Sequence, residues 1–256
     1  MKRRCKLAGR EPAQGRISGT ALTLALTIFC VFFAAPASGG QENPGIFEDF
    51  SSAEGWEDLY FPKIKEHTAY SLGTDEEVTF LMANSSASAS AFMLRRDIDV
   101  YETPLLSWRW KTDNVYGKGD LRTKKGDDSP LRIYIMFRYD PGRAPAGMRL
   151  KYAMARLIYG EYPPHSSLNY IWASREPMGS VLENAYTDRS RMIVMRTGAS
   201  DAGKWLEEEA NILEDYRRVF GEDPPEKARI AVMNDSDDTG EAALSYMDYI
   251  RLTAFQ

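Results

Sequence analysis

From position 45 onward the chain is written in short runs whose apolar residues recur at every second position, with Gly, Ser, Asp and Pro between them. A period of two sends alternate side chains to opposite faces of a strand, so one face meets a core and the other meets water. The clearest run is Leu131–Tyr139, with Ile133, Ile135 and Phe137 on one side and Arg132, Tyr134, Met136 and Arg138 on the other. Leu105–Lys111 alternates as cleanly: Leu106, Trp108 and Trp110 against Ser107, Arg109 and Lys111. Gly45–Phe50, Trp56–Phe61, His67–Leu72, Val78–Met82, Ala91–Leu94, Leu168–Ala173, Met192–Arg196 and Arg229–Asn234 read as further strands. Ala243–Thr253 reads as the last, with Leu244, Tyr246, Asp248, Ile250 and Leu252 in alternation.

The period changes twice. In Gly147–Tyr159, Leu150, Ala153, Met154, Leu157 and Ile158 recur at helical spacing, and Gly160 with Pro163-Pro164 stops the run. Lys204–Phe220 is mixed: Ile212, Leu213, Tyr216 and Phe220 suit a helix ending at Gly221, whereas the part around Trp205 fits either state. There is no internal repeat and no long linker. The pattern predicts a mainly β, two-sheet, jelly-roll-like β-sandwich over 46–256, with one or two short helical insertions.

The first 37 residues follow another rule. A basic start (Lys2, Arg3, Arg4, Lys6, Arg10, Arg16) leads into the uncharged stretch Ala21–Ala35 and then into Ala35-Pro36-Ala37. Basic start, short apolar middle and small-residue exit form an export signal. Fifteen apolar-stretch residues fall short of the about 20 of a spanning helix, which favours a cleaved signal over a retained anchor. Cys30 lacks the small preceding residue of a lipidation box, since Thr27-Ile28-Phe29 stand there. Residues 38–45 read as a polar lead-in.

Cleavage changes the chemistry left behind. Of 32 basic and 37 acidic residues, six basic ones and Glu11 lie in the signal, leaving 26 and 36 and a formal charge of −10. That balance argues against nucleic acid or an anionic membrane surface as partner. Cys5 and Cys30 leave with the signal, so the mature part has no disulfide, thiol nucleophile or thiolate metal site.

Candidate chemistry is of two kinds. Trp108, Trp110, Tyr134, Tyr170 and Trp172 lie on predicted strands, and a flat ring face suits the apolar C–H face of a sugar. Trp108 and Trp110 share the face of Leu106, which assigns them to the core. Tyr170 and Trp172, two apart beside Asn169, are either both core or both platform. The second kind is acidic. In Asn234–Gly240, Asp235, Asp237 and Asp238 are close enough in sequence to hold a hard cation such as calcium. The helical calcium-loop pattern fails, because Thr239 stands at its fifth position and Tyr246 at its twelfth. A solvated turn is the other reading. Asp127-Asp128-Ser129-Pro130 precedes the strongest strand, and reads either as a turn with surface charges or as a place where Asp128 pairs with Arg132 at the strand entrance. No spacing singles out two carboxylates for glycoside hydrolysis, His67 and His165 stand without a motif, and no G-x-S-x-G or glycine-rich phosphate loop occurs.

Two resemblances add to this. Phe47-Glu48-Asp49-Phe50 with Trp56, and Tyr246–Leu252, resemble the opening and closing strands of galactose-binding-like jelly rolls; by that resemblance Glu48 or Asp49, with Asp248, would hold a structural calcium. Five segments together resemble the bacterial DUF3047 family. They are Leu106–Trp110, Asp127-Asp128 before Arg132-Ile133-Tyr134, Asn169–Trp172, Asp215–Gly221 and Asn234–Gly240. This resemblance implies an exported β-sandwich and supplies no activity. Where Ser129-Pro130 stands here, an aromatic before the proline is expected in relatives.

The sequence therefore suggests an exported, non-catalytic domain, periplasmic or secreted and not integral to the membrane, that binds a glycan or another envelope component. Asn169, Tyr170, Trp172, Asp128, Arg132 and Tyr134 are its expected ligand residues, and calcium is the one cofactor its acids suggest. One alternative is a polysaccharide hydrolase or lyase, which needs Asp127, Asp128, His165 or the 235–238 acids to converge in one cleft. Another is an envelope assembly role, which needs an apolar patch outside any groove.

Overall fold

The computed structural model describes residues 45–75, 78–142, 144, 146–159 and 162–255. The export segment 1–37 and positions 38–44 of the lead-in lie outside the described residues. The first strands are β1 (Ile46–Glu48), β2 (Trp56–Leu59), β3 (Ala69–Asp75), β4 (Val78–Ser86), β5 (Ala89–Leu94), β6 (Ile98–Asp99), β7 (Leu105–Thr112) and β8 (Ser129–Phe137). After them come α1 (Ala146–Tyr159), β9 (Ser166–Ala173), β10 (Val181–Asn184), β11 (Thr187–Thr197) and β12 (Leu206–Asn211). Helix α2 (Ile212–Phe220), β13 (Lys227–Asp235) and β14 (Ala242–Thr253) complete the order.

The strands form two sheets. The six-stranded sheet runs β12-β7-β14-β4-β3, with β1 beside β14; the eight-stranded sheet runs β10-β11-β9-β8-β13-β5-β2, with β6 beside β13. Every pairing is antiparallel except β9 with β11. For β7 and β8 the predicted alternation also gives the packing. Leu106, Trp108 and Trp110 of the first sheet meet Ile133, Ile135, Phe137, Tyr170 and Trp172 of the second in one core. The fold is thus the expected two-sheet sandwich.

The outer face of the eight-stranded sheet is also largely covered. Leu121, on the loop before β8, packs on Ile171, Ala173, Met192 and Val194. Leu59, Phe61 and Ile64 pack near Ala91, Met93, Ala231 and Met233. This double covering leaves all eight residues of β9 buried. It corrects the expectation for Tyr170 and Trp172. Both face the core at 0% exposure, against Trp108 (5.4 Å) and Trp110 (5.8 Å), and offer no ring face to a ligand.

Two further expectations change. Strand β14 carries a bulge, with the register shifting between Met247 and Tyr249. One extra residue reverses the faces beyond it. Ala243, Ser245, Met247, Ile250 and Leu252 are buried, whereas Leu244, Tyr246, Asp248 and Tyr249 are partly exposed, so the regular alternation of Leu244 through Leu252 does not hold. Helix α1 forms as predicted, but among its described side chains Tyr152 is the buried one, while Leu150 and Met154 of the predicted stripe are exposed. The mixed segment divides at Asn211, whose side chain accepts from the N–H groups of Leu213 and Glu214 and starts α2. Gly221, at φ 72°, ends the helix by donating to the Arg217 carbonyl. Among the described residues, no helix is long and apolar enough to cross a membrane.

Candidate functional site

Strand β8 begins where β13 ends, and that junction gathers the acids that sequence had placed a hundred residues apart. Ser129 pairs with Asp235 across the two strands. The Arg132 side chain lies at 1% exposure and donates from Nη2 to Asp235 Oδ2 at 2.8 Å and to the Asp127 carbonyl at 3.2 Å. Asp127 Oδ1 stands 3.8 Å from Arg132 Nη1, and Asp127 Oδ2 accepts from Asn184 Nδ2 at 2.8 Å. Asp128 does not pair with Arg132 as expected. Its carboxylate instead accepts the N–H of Thr239 at 2.6 Å and of Asp238 at 3.4 Å, holding the 236–240 turn against the start of β8.

Carboxylate oxygens of Asp128, Asp235 and Asp237 lie within 4.8 Å of one another, the spacing at which a hard cation is held by oxygen ligands. Asp238 turns away, accepting from the Tyr186 hydroxyl at 3.0 Å. The electrostatics follow from too much negative charge in too little water. Burial pushes the Asp127 carboxyl up to about 6, against the pull of Arg132. Burial likewise raises Asp235 well above the usual range, and Asp128 and Asp127 add to it. Asp237 and Asp238 are raised by burial and then by neighbouring carboxylates. Burial works against charge on Arg132 too, but Asp235 foremost keeps it protonated.

The remaining expected residues scatter. Tyr134 and Asn169 oppose one another on β8 and β9, on the same outward side as Arg132. Asn169 is fully buried; its amide donates to Ser190 Oγ and the Arg191 carbonyl, and its Oδ1 has no partner. Glu48, Asp49 and Asp248 form no joint site. Glu48 is held by Trp56 and Arg96, Asp49 by Ser51, and Asp248 by Arg109 at 2.9 Å. His165 donates its N–H to the Phe137 carbonyl at the far end of β8, about 27 Å along a nine-residue strand from the acids. There it lines a hollow of about 400 Å³ with Arg138 and Glu222.

A second constellation lies on the outer face of the six-stranded sheet, and sequence reasoning missed it. The β14 bulge turns both Tyr246 and Tyr249 outward. Phe80 packs edge-on to Tyr246 at 5.4 Å, and Trp205 lies 6.2 Å from Tyr246 and 6.0 Å from Phe80. Lys111 Nζ sits 4.1 Å from the Tyr246 ring and 4.9 Å from that of Trp205. The Arg109 guanidinium, paired with Asp248, lies 5.3 Å from Trp205. Phe47 and Tyr249 extend the band at 6.0 Å, with Arg251 over both. The Tyr246 hydroxyl donates to Asp113 at 3.1 Å; burial and then that carboxylate push it up to about 12. Trp205, Tyr246 and Tyr249 are partly exposed and Phe47 is exposed. The available signal was the outward row Arg109 and Lys111, which marked this face as the wet one.

A protein-family model described as a protein of unknown function (DUF3047) matches residues 54–251. The chain belongs to the DUF3047 family. No curated protein matches it in sequence. Solved structures similar to this DUF3047 member include the family 11 carbohydrate-binding module of Clostridium thermocellum, in complex with a β-1,3-1,4-mixed-linked tetrasaccharide. That match has 9% identity and a TM-score of 0.39, and covers 82% of this chain and 95% of that one. The Lotus tetragonolobus seed lectin matches at 8% identity and a TM-score of 0.41, over 82% and 98%. The family GH12 endoglucanase 3 of Trichoderma harzianum matches at 8% and 0.39, over 84% and 99%.

Proposed function

We propose that this DUF3047 protein is an exported, non-catalytic glycan-binding domain that seats its ligand on the outer face of the six-stranded sheet. The observation that carries the reading is the aromatic band of Trp205, Tyr246 and Tyr249 beside the Arg109–Asp248 pair. Partly exposed rings offer apolar faces to sugar C–H groups. The guanidinium and the carboxylates of Asp248 and Asp113 supply donors and acceptors for hydroxyls. The basic, apolar and small-residue order of the first 37 positions supports export to the periplasm or beyond.

The enzyme alternative asked for converging acids in a cleft. Acids do converge at the start of β8, but Asp127, Asp128 and Asp235 are buried and already hold Asn184, the 238–239 backbone and Arg132.

The test is a glycan array followed by titration of any bound sugar. Trp205→Ala is expected to weaken binding up to about tenfold, since an aromatic contact is worth about 0.5–1.5 kcal/mol, while the cooperative melt is kept. Tyr246→Phe, which keeps the ring and drops the hydroxyl, is expected to cost less. Binding that survives both Trp205→Ala and Tyr249→Ala would overturn the assignment of this face.

A further inference from the structure

Helix α1 stands out from the rest of the chain in how it meets solvent. Among its described side chains it is anchored through one side. Met148, Tyr152 and Ala155, spaced four and three apart, are the buried or half-buried positions among them. Tyr152 packs on Tyr139 at 4.4 Å and donates to the Pro164 carbonyl at 3.1 Å. The opposite side carries Leu150 at 68% and Met154 at 58% exposure, the highest of any large apolar side chains among the described residues. At 3.6 residues per turn these two lie about 40° apart on the helix surface, with the exposed Ala153 beside them.

The charges on α1 are all of one sign. Arg149, Lys151 and Arg156 are exposed, and no Asp or Glu occurs from Ala146 to Tyr159. Arg149 and Arg156 lie about 20° apart on one flank of the apolar side, and Lys151 lies on the other flank. Arg156 also rests on the Tyr162 ring at 4.8 Å, at the base of the helix. An apolar ridge bordered on both flanks by cations, on a helix whose third side is docked, has the cross-section of an interfacial helix. The ridge suits the acyl boundary of a bilayer, and the long basic side chains reach up to phosphates while their stems stay in apolar surroundings.

We infer that α1 is a lipid-contacting element that lays Leu150 and Met154 into the surface of an anionic bilayer, with Arg149, Lys151 and Arg156 on the headgroups. The formal charge of −10 expected for the chain without its first 37 residues argued against such a partner, but the relevant charge is the one within reach of the surface. At physiological salt that reach is about 8 Å, so a bilayer under the ridge meets the helix's three cations and is screened from most of the body. The sign of these cations selects the occupant: a neutral apolar cleft would gain nothing from them, whereas phosphodiester headgroups complement each one.

The test is vesicle co-sedimentation of the protein as cells process it. One set of vesicles is pure phosphatidylcholine and the other contains roughly one third phosphatidylglycerol. Three basic residues predict on the order of a hundredfold tighter binding to the anionic set, falling as salt rises. The Leu150→Glu, Met154→Glu double variant changes exposed positions only and keeps the same N terminus as its parent, so the comparison isolates the helix. It is expected to lose at least tenfold of the binding while keeping the parent's melting curve. Should that variant fold poorly, Arg149→Gln with Lys151→Gln leaves the ridge and Arg156 intact and is expected to cut the preference for anionic vesicles from on the order of a hundredfold to about fivefold. Absent binding, equal binding to both lipid sets, or binding unchanged in these variants would overturn the inference. So would a concentration-dependent dimer that the double variant dissociates, which would assign the ridge to a second copy of the chain.

Discussion

Arg132 shows what one side chain can be asked to do when it enters an interior. It reaches across from β8 to β13 and is the cation among the carboxylates of Asp127 and Asp235. Removing ions from water costs several kcal/mol each, and one guanidinium does not balance the buried acids around it. The excess appears as raised carboxyl pKa values, with Asp127 near 6. The usual carboxylate dependence on pH is therefore reversed here. Between the unfolded value of 3.8 and about 6, the folded chain binds a proton that the unfolded chain releases, so folding is favoured on acidification. As pH rises through about 6, the folded state must hold the charged form and this contribution is lost. In a calcium-free buffer, the protein is expected to gain about 1 kcal/mol in urea-unfolding free energy from Asp127 on going from pH 7 to pH 5. Asp127→Asn should flatten that slope and raise stability at pH 7. A variant that keeps the wild-type slope would show that Asp127 is already ionised at pH 5.

At the scale of elements, local chemistry decides where the chain changes from strand to helix. Asn211 ends β12 and caps α2 within one residue, and replacing it with Ala leaves the Leu213 and Glu214 N–H groups without their acceptor. A loss of about 1 kcal/mol is expected in thermal or urea unfolding, with Asn211→Asp restoring most of it. Such signals are local, which is why strands, both helices and the Gly221 stop could be read from the chain. What could not be read depends on what covers an element. Tyr170 and Trp172 look the same on a strand exposed on one side as on β9, which is covered on both. The bulge in β14 adds one residue without any sequence mark, and so hid the outward turn of Tyr249 beside Tyr246. Leu150, Ala153 and Met154 show the reverse case: three positions of a helical stripe that predicts a buried face stand in solvent, while Tyr152 docks instead. The acids of the β8 entrance were each visible, but their meeting depends on a β8–β13 pairing that spans a hundred residues.

At the scale of the molecule, each sheet pairs strands that lie far apart in the sequence. Ile46 pairs with Leu252, and β5 pairs with β13 across some 140 positions. Strand β14 lies in the interior of its sheet, bonded to β7 on one side and to β4 and β1 on the other. A chain ending at Gly240 loses that strand and leaves three others without their partner. It is expected to show no cooperative melt in near-ultraviolet circular dichroism, whereas removal of β10, an edge strand, should lower the melting temperature without abolishing the transition.

This strand order has a consequence for synthesis. The strands that complete the interior of each sheet, β13 and β14, follow all the other strands in chain order and so leave the ribosome after them. Until they emerge, neither half of the core has its central support, and pairings that close long loops form slowly even afterwards. A nascent chain of this design stays open until β14 has been made. A transport channel that accepts only unfolded polypeptide would therefore find it threadable without a chaperone having to pull a finished domain apart.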